Sequence, residues 1–297
     1  MSKFQVSAII VNYNSGSHAV DCIRSLQAQQ VDGLEIIVVD NASQDDSIAL
    51  LRDACGGCIT LIESRENLGF GRANNLAAVK AQGEFLLLIN PDAQLQGDGA
   101  VTTLVAYLQQ NQAVGIAGPE IHEPSKNKYV LPRKTYPSQH RLKFTKGLAV
   151  LPGKIAWILG ACLILRKSTF QQIHGFDPDF FLYGEDIDIC LRVRKAGYAI
   201  GYCSAAKITH VGGASEAGAI PLDKFLRKRR GFYLFCRKHY DARDVRRIAR
   251  HAIASAKLGQ LNLAIREILR SGSQQQRQQQ AHKLQAARIA ADEVLSE

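Results

Sequence analysis

The residues of this chain best placed for chemistry are polar side chains that stand where strand-like runs stop. Phe85-Leu-Leu-Leu-Ile-Asn-Pro-Asp-Ala93 is the clearest case. Five apolar residues without alternation read as a strand covered on both faces. Pro91 has no amide hydrogen to continue a ladder, and Asp92 follows it. Ligands of open α/β sheets sit outside the carboxyl ends of the strands. An acid there is placed either to hold a divalent cation beside a phosphate-bearing ligand or to close an Asx-type turn. Val11-Asn-Tyr-Asn14 and Val38-Val-Asp-Asn-Ala-Ser43 end two earlier strands alike, and bring Asn12, Asn14, Asp40 and Asn41 to the same edge. Asp40 can accept from a pyrimidine ring N–H or a ribose hydroxyl, or it can cap the following helix. In Glu185-Asp186-Ile-Asp188, helical spacing puts Glu185 and Asp188 on one face and turns Asp186 about 100° away. One of the adjacent acids can take a proton from a hydroxyl nucleophile, or both can favour a helix start through its dipole. His210 is either a structural residue or, if brought near Asp92, a ligand for metal or diphosphate. Asn67-Leu-Gly-Phe-Gly-Arg-Ala-Asn-Asn75 is a turn whose backbone amides, at Gly69 and Gly71, can approach phosphate or sugar.

The elements that must carry these residues alternate. Strand patterns cover Val6–Val11, Glu35–Val39, Ile59–Glu63 and residues 85–89, with helices at Ala19–Gln29, Asp46–Cys55 and Arg72–Ala81 between them. This β-α-β-α order predicts an α/β fold with a twisted, mostly parallel sheet flanked by helices and right-handed crossovers. A helix at Val101–Asn111 and a strand at Val114–Ala117 follow. Residues 122–154 then carry eight Lys or Arg and one Glu, with Tyr129, Tyr136 and Phe144 interleaved, which reads as a long functional loop or lid. Ile158–Arg166 resumes a buried strand, the acidic stretch becomes a helix to about Ala196, and Ala199–Ser204 and Lys207–His210 are two short strands. Beyond Leu222 only helical patterns remain, through Tyr240, from Ala242 to Leu269 and from Ala281 to Leu295. The Gln-rich Ser271–Gln280 reads as a linker or frayed helix. The expected division is a body of residues 1–220, with halves at 1–120 and 121–220, and a helical region at 221–297.

Charge follows that division. The chain of 297 residues has a net charge of +10, and all of the excess lies beyond residue 220: residues 221–297 hold 17 Lys or Arg against 7 Asp or Glu. A neutral body with a basic appendage implies an anionic partner. From Lys224 to Arg250 the charges share helices with Phe225, Leu226, Phe232, Leu234, Phe235, Val245 and Ile248, so an anionic membrane surface is the expected partner, with a solvated face or a contact with another subunit as the alternative. No helix-turn-helix, zinc or base-stacking pattern points to nucleic acid. No apolar run is long enough to span a bilayer, and no signal-peptide pattern opens the chain. Seven scattered cysteines fit reduced thiols in a cytoplasmic protein, and Cys55-Gly-Gly-Cys58, with no second pair, reads as a turn. No dinucleotide fingerprint of glycines follows the first strand.

In order and spacing, Val11-Asn-Tyr-Asn14, Val39-Asp-Asn-Ala-Ser43, Asn67-Leu-Gly-Phe-Gly71 with Asn74-Asn75, Asn90-Pro-Asp92, Gly160-Ala161, Gly175-Phe-Asp177 and Phe181-Leu-Tyr-Gly-Glu-Asp186 resemble the family 2 glycosyltransferases of GT-A fold. The rhamnosyltransferase-like branch is the nearest in its Asn-Pro-Asp and Phe-x-Tyr-x-Glu-Asp stretches, and the likeness covers roughly residues 5–240. The resemblance implies inverting transfer from a nucleotide-diphospho-sugar, such as dTDP-L-rhamnose, to a surface polysaccharide or lipid-linked glycan at the inner face of the cytoplasmic membrane. By the same likeness, residues 1–120 would hold the donor and 121–220 the acceptor. Asp40 would read the base, with Asn12, Asn14, Asn41, Asn67, Gly69, Gly71 and Asn75 lining the donor. Asp92 and His210 would serve Mg²⁺ or Mn²⁺ across the diphosphate, and Asp186, assisted by Glu185, would be the base. Arg229, Arg230 and Tyr233 would lie over the diphosphate, and Trp157 and Tyr183 would meet the acceptor. The family's metal motif often has an acid where this chain has Asn90, so the donor itself is expected to complete the metal's oxygens. A non-catalytic scaffold that binds nucleotide sugar or glycan is the competing expectation.

Overall fold

The computed structural model describes residues 5–29, 31–142, 148, 150–212, 221–268 and 273–296. Lys143, Phe144 and Lys146 of the basic stretch, together with Gly213, Leu269 and Ser271, lie outside the described residues. The chain forms two compact units. One comprises Met1–Tyr136, Val150–Phe181 and Glu185–Ala217, and the other Pro137–Ala149, Leu182–Gly184 and Gly218–Glu297.

The first unit opens with β1 (Val6–Asn12), α1 (Ser17–Gln27), β2 (Leu34–Asp40), α2 (Ser47–Cys55), β3 (Thr60–Glu63), α3 (Phe70–Lys80) and β4 (Phe85–Ile89). These strands pair in parallel in the order β3-β2-β1-β4. The unbroken apolar runs arise because alternate side chains serve two different cores. Val6, Ala8 and Ile10 of β1, with Phe85, Leu87 and Ile89 of β4, pack with α1 and α2 residues such as Ile23 and Leu51. Ile9 and Val11, with Leu86 and Leu88, pack on the opposite face with Ala73 and Ala77 of α3.

Beyond β4 come β5 (Ala93–Gln96), α4 (Ala100–Gln110), β6 (Val114–Glu123), β7 (Lys128–Val130), β8 (Cys162–Arg166), α5 (Lys167–Gln172), α6 (Glu185–Lys195) and β9 (Ala199–His210). The sheet continues as β8-β6-β9-β5, with β7 on β6. Here the pairing turns mixed: β8 runs antiparallel to both β4 and β6, while β9 is parallel to β6 and antiparallel to β5. Doubly covered strands carry the same apolar pattern in either direction, so the sequence did not announce the reversal. The two short strands expected before His210 are one strand, β9. Its register against β6 slips where Pro119 faces Cys203 and the next pair is Glu120 with Lys207, a bulge that broke the sequence pattern. The start of the expected lid is instead a β6–β7 hairpin. Its turn holds Asn127 at φ 44°, and buried Glu123 accepts from Lys126 (3.0 Å) and Lys128 (3.2 Å).

The second unit contains α7 (Pro221–His239), α8 (Ala242–Ile268) and α9 (Gln274–Ser296). The Gln-rich stretch is helical from Gln274, since Gln is a good helix former. Tyr233, Phe235, Cys236, Val245 and Ile248 are buried, as are Ala286, Ala290 and Ala291. Of the apolar residues expected on a membrane-facing side, Phe235, Val245 and Ile248 thus lie in the interior of the unit, while Phe225, Leu226, Phe232 and Leu234 are half-buried. Helices α8 and α9 approach closely at Gly259, where a Cβ would stand 2.6 Å from Leu284. No helix among the described residues is long and apolar enough to cross a membrane. All seven cysteines are unbridged.

Arg192 of α6 joins the elements around the acidic helix. Its Nε donates to the buried Asp188 (2.7 Å), and its Nη1 donates to the carbonyls of Ile173 and Gly175 (2.7 Å each). Removing it leaves a buried carboxylate without its cation and two carbonyls without donors. Arg192→Ala should therefore lower unfolding free energy by about 3 kcal/mol. Chemical denaturation checks this, and an unchanged midpoint would contradict it.

Candidate active site

The carboxyl ends of β1 and β2 lie side by side, with Asn12 in register with Asp40. Asn12 Nδ2 donates to Asp40 Oδ1 (2.8 Å), as does the Ser43 hydroxyl (2.6 Å), and the Ser43 amide donates to Asp40 Oδ2 (3.0 Å). Asp40 is 1% exposed, so its visible work is to fix the β2 turn, and reading a base would fall to its remaining lone pairs. Asn14, at φ 49°, donates its amide to Ser43 Oγ (3.0 Å) and accepts from the Gln44 amide (2.7 Å). Asn suits this left-handed turn. Asn12 Oδ1 is buried without a hydrogen-bond partner among the described residues.

Asn41 ties this edge to the Gly-rich turn. Its Nδ2 donates to Asn67 Oδ1 (2.9 Å) and the Gly69 carbonyl (3.2 Å), and its Oδ1 accepts from the Leu68 amide (2.8 Å). Gly69 has φ 78°, and the Phe181 carbonyl occupies the space a Cβ would need, while the Phe70 amide donates to that carbonyl (2.9 Å). At Gly71 a Cβ would come within 2.9 Å of Phe176. Asn75 donates to the Phe176 carbonyl and accepts from its amide (2.8 Å each). Gly69, Gly71 and Asn75, expected as donor contacts, thus seat residues 175–181. An amide side chain serves ligand and backbone alike, so sequence could not separate the two uses.

Asp92 and His210 meet as one of the two readings required. Strand β5, unforeseen in the sequence, pairs Ala93 with His210. His210 Nε2 then stands 3.2 Å from Asp92 Oδ1, with both side chains buried. Asn90 Nδ2 lies 3.4 Å from the same nitrogen, and His210 Nδ1 is buried without a hydrogen-bond partner among the described residues. A carboxylate suits Mg²⁺ or Mn²⁺, and an imidazole beside it favours the transition ion Mn²⁺ over Mg²⁺. No group of three or more metal-ligating side chains exists among the described residues, so oxygens from a bound ligand would have to complete the shell.

Asp186 begins α6, and β8 links it to the Asp92 edge. The Asn90 amide donates to the Ala161 carbonyl (2.9 Å), and the amide of the adjacent Gly160 donates to Asp186 Oδ2 (3.3 Å). A Cβ at Gly160 would lie 3.1 Å from Asp186 Cβ, so glycine permits this approach. The Ile187 amide donates to Asp186 Oδ1 (2.8 Å). Burial pushes the carboxyl up to about 6, and the Gly160 and Ile187 amides only partly oppose that. Glu185 is buried beside it at the first turn of α6. Trp157 is held by its own backbone pairing with Arg133 (2.9 Å) and by its indole N–H to the Thr135 carbonyl (3.2 Å).

The remaining expected residues belong to the second unit. Tyr183, at φ 72°, carries Lys228 Nζ 4.8 Å above its ring. Arg230 is committed to Glu293 by two bonds (3.0 and 2.5 Å), a partner 63 residues away that the sequence gave no sign of. Tyr233 is buried, and burial lifts its hydroxyl to about 12. Arg229 is exposed and lines a cavity of its own unit.

The sequence profile described as "Glycosyl transferase family 2" matches residues 7–174, and that of "Glycosyl transferase family group 2" matches residues 101–271. The chain belongs to glycosyl transferase family 2. Among curated relatives, the O-antigen chain rhamnosyltransferase of Salmonella typhimurium is 24% identical over 69% of this chain. The N-acetylglucosaminyl-diphospho-decaprenol L-rhamnosyltransferase of Mycobacterium tuberculosis is 26% identical over 76%. These alignments span 66% and 82% of the relatives' own lengths. The solved mannosyltransferase of Pyrobaculum calidifontis with GDP-Man and Mn²⁺ superposes with a TM-score of 0.56 over 98% of this family member and 74% of that chain, at 17% identity. The fold is the GT-A type, and its mixed sheet with flanking helices is shared with that structure.

The folded state binds the Asp186 proton more tightly than the unfolded chain does, so this group makes stability fall as pH rises from about 4 to about 6. Asp186→Asn lacks that fall. The Tm of the variant relative to the native protein should rise over this interval and level off above it. A difference independent of pH would show that Asp186 is not shifted.

Proposed function

We propose that this protein transfers a sugar, as an inverting reaction, from a nucleotide-diphospho-sugar to a hydroxyl of a lipid-linked or surface glycan, with Asp186 as the base. The observation that carries the reading is a carboxyl raised to about 6 and held by Gly160, beside the edge that bears Asp92 and His210. Such a group is largely deprotonated at neutral pH yet basic enough to accept a proton as the acceptor hydroxyl attacks. The rhamnosyltransferase names of the relatives support a deoxyhexose donor such as dTDP-L-rhamnose, and the diphospho-decaprenol acceptor in one name supports a lipid-linked acceptor. That acceptor chemistry favours work at the inner face of a cytoplasmic membrane.

Asp92 and His210 would hold a divalent metal together with the donor's diphosphate oxygens. When bound, such a metal offsets the charge that develops on the departing nucleotide diphosphate. Asn12 presents an unpartnered buried acceptor atom beside Asp40, which suits a donor group from the nucleotide. Asn41 and Asn67 keep the two turns of that pocket in place. Gly160 keeps Asp186 free of a side-chain clash and supplies one of the amides that stabilise its charge.

Purified protein, Mn²⁺ and a panel of nucleotide sugars with a lipid-linked acceptor test the reading. Turnover should rise with pH along a limb near 6 and then level off. Asp186→Asn should cost at least about 10³-fold in kcat, with donor protection against thermal unfolding retained. A variant that keeps near-native turnover removes Asp186 from the role. Asp92→Ala should raise the Mn²⁺ concentration needed for donor binding by about tenfold or more, and an unchanged metal requirement would rule Asp92 out as a ligand.

A further inference from the structure

We propose that an open cavity in the second unit binds the phosphate group of a phosphorylated lipid. The cavity, of about 360 Å³, is walled by α7, α8 and α9 and by the short turn at Gln139–Arg141. That volume lies within the range of small-molecule sites. Arg141, Arg229, His251 and Lys283 line it, and no acidic residue does.

Three acids of this unit are paired elsewhere. Glu293 takes Arg230, Asp244 takes Arg247 (2.9 Å) and Asp292 takes Arg288 (3.6 Å). Arg141, Arg229 and Lys283 have no carboxylate partner among the described residues. Cations gathered on one concavity without a counter-charge repel one another, and an anion bound among them removes that cost. Guanidinium forks with an ammonium beside them suit phosphate oxygens.

The rest of the wall is apolar. Phe232, Ile248 and Leu284 line it, so a hydrocarbon chain attached to the phosphate has a surface to follow. Further along α8, Leu258, Leu261 and Ile265 are 70%, 63% and 49% exposed at helical spacing. An exposed aliphatic stripe on a helix that also carries the basic cavity is the combination found where proteins touch lipid. Such binding needs none of the first unit's chemistry.

Vesicle sedimentation of the full chain tests this, using phosphatidylcholine alone or doped with phosphatidylglycerol, with polyprenyl phosphate or with uncharged polyprenol. Binding to both anionic preparations identifies a bilayer headgroup as the source of the phosphate. Binding to polyprenyl phosphate alone identifies a carrier lipid, and either result supports the site. Binding should weaken with added salt. Lys283→Gln with Arg141→Gln should weaken it about thirtyfold, and Lys283→Gln alone about fivefold, which keeps the test open should the double variant unfold. Equal binding to polyprenol, or binding unchanged in the single variant, overturns the proposal. Protection against thermal unfolding by inorganic phosphate equal to that by polyprenyl phosphate overturns the lipid assignment.

Discussion

The first unit depends on how β8 docks against β4. Ile89 faces Cys162 at the end of that antiparallel pairing, and the hydrogen bond from the Asn90 amide to the Ala161 carbonyl carries the contact one step past the strand. This step puts Gly160 next to the Asp92 edge, and Gly160 in turn holds Asp186. A parallel strand in the same slot would deliver its opposite end to this edge. The reversal of direction midway through the sheet is therefore what brings the acid of α6 to the edge that bears Asp92 and His210.

The chemistry of that acid follows from an imbalance. The Gly160 and Ile187 amides stabilise the Asp186 carboxylate, and among the described residues no cation pairs with it as Arg192 pairs with Asp188 two residues on. Burial then dominates, and its carboxyl rises to about 6. Asp188, fully enclosed but paired with a guanidinium, is a structural charge. Two acids on the first turn of one helix thus take different roles through their partners alone.

The parallel half of the fold was legible because every strand there is buried on both faces and ends in a polar turn. The position of Asp92 was legible for the same reason. Strand β5 was not: Ala93–Gln96 is short and follows a proline that reads as a stop, yet it is what carries Asp92 to His210. The packing role of Asn75 and Gly71 was not legible, because close backbone approach has one signature whether the neighbour is a sugar or residues 175–181. The basic helices carry a related ambiguity. A helix with one apolar face fits a membrane or a bundle equally, and only the alanines of α9, distant in sequence, showed that α7 and α8 have a protein partner.

Once Phe235, Val245 and Ile248 are assigned to that interior, the net charge of the region needs a different account. Charge on a bundle surface is ordinarily balanced locally by acids at helical spacing, as Asp292 balances Arg288. Around the cavity that balance is missing on α7, on α9 and on the 139–141 turn together. Three separate segments leave their cations unpaired at one place, which solvation of a single helix face does not require. Part of the excess charge read from the sequence, Arg229 and Lys283, is therefore gathered with Arg141 at one concavity, where the proposed phosphate would lie. In the proposed binding, lipid would meet a pocket with adjoining aliphatic residues, which can discriminate among anionic lipids in a way a flat basic helix cannot.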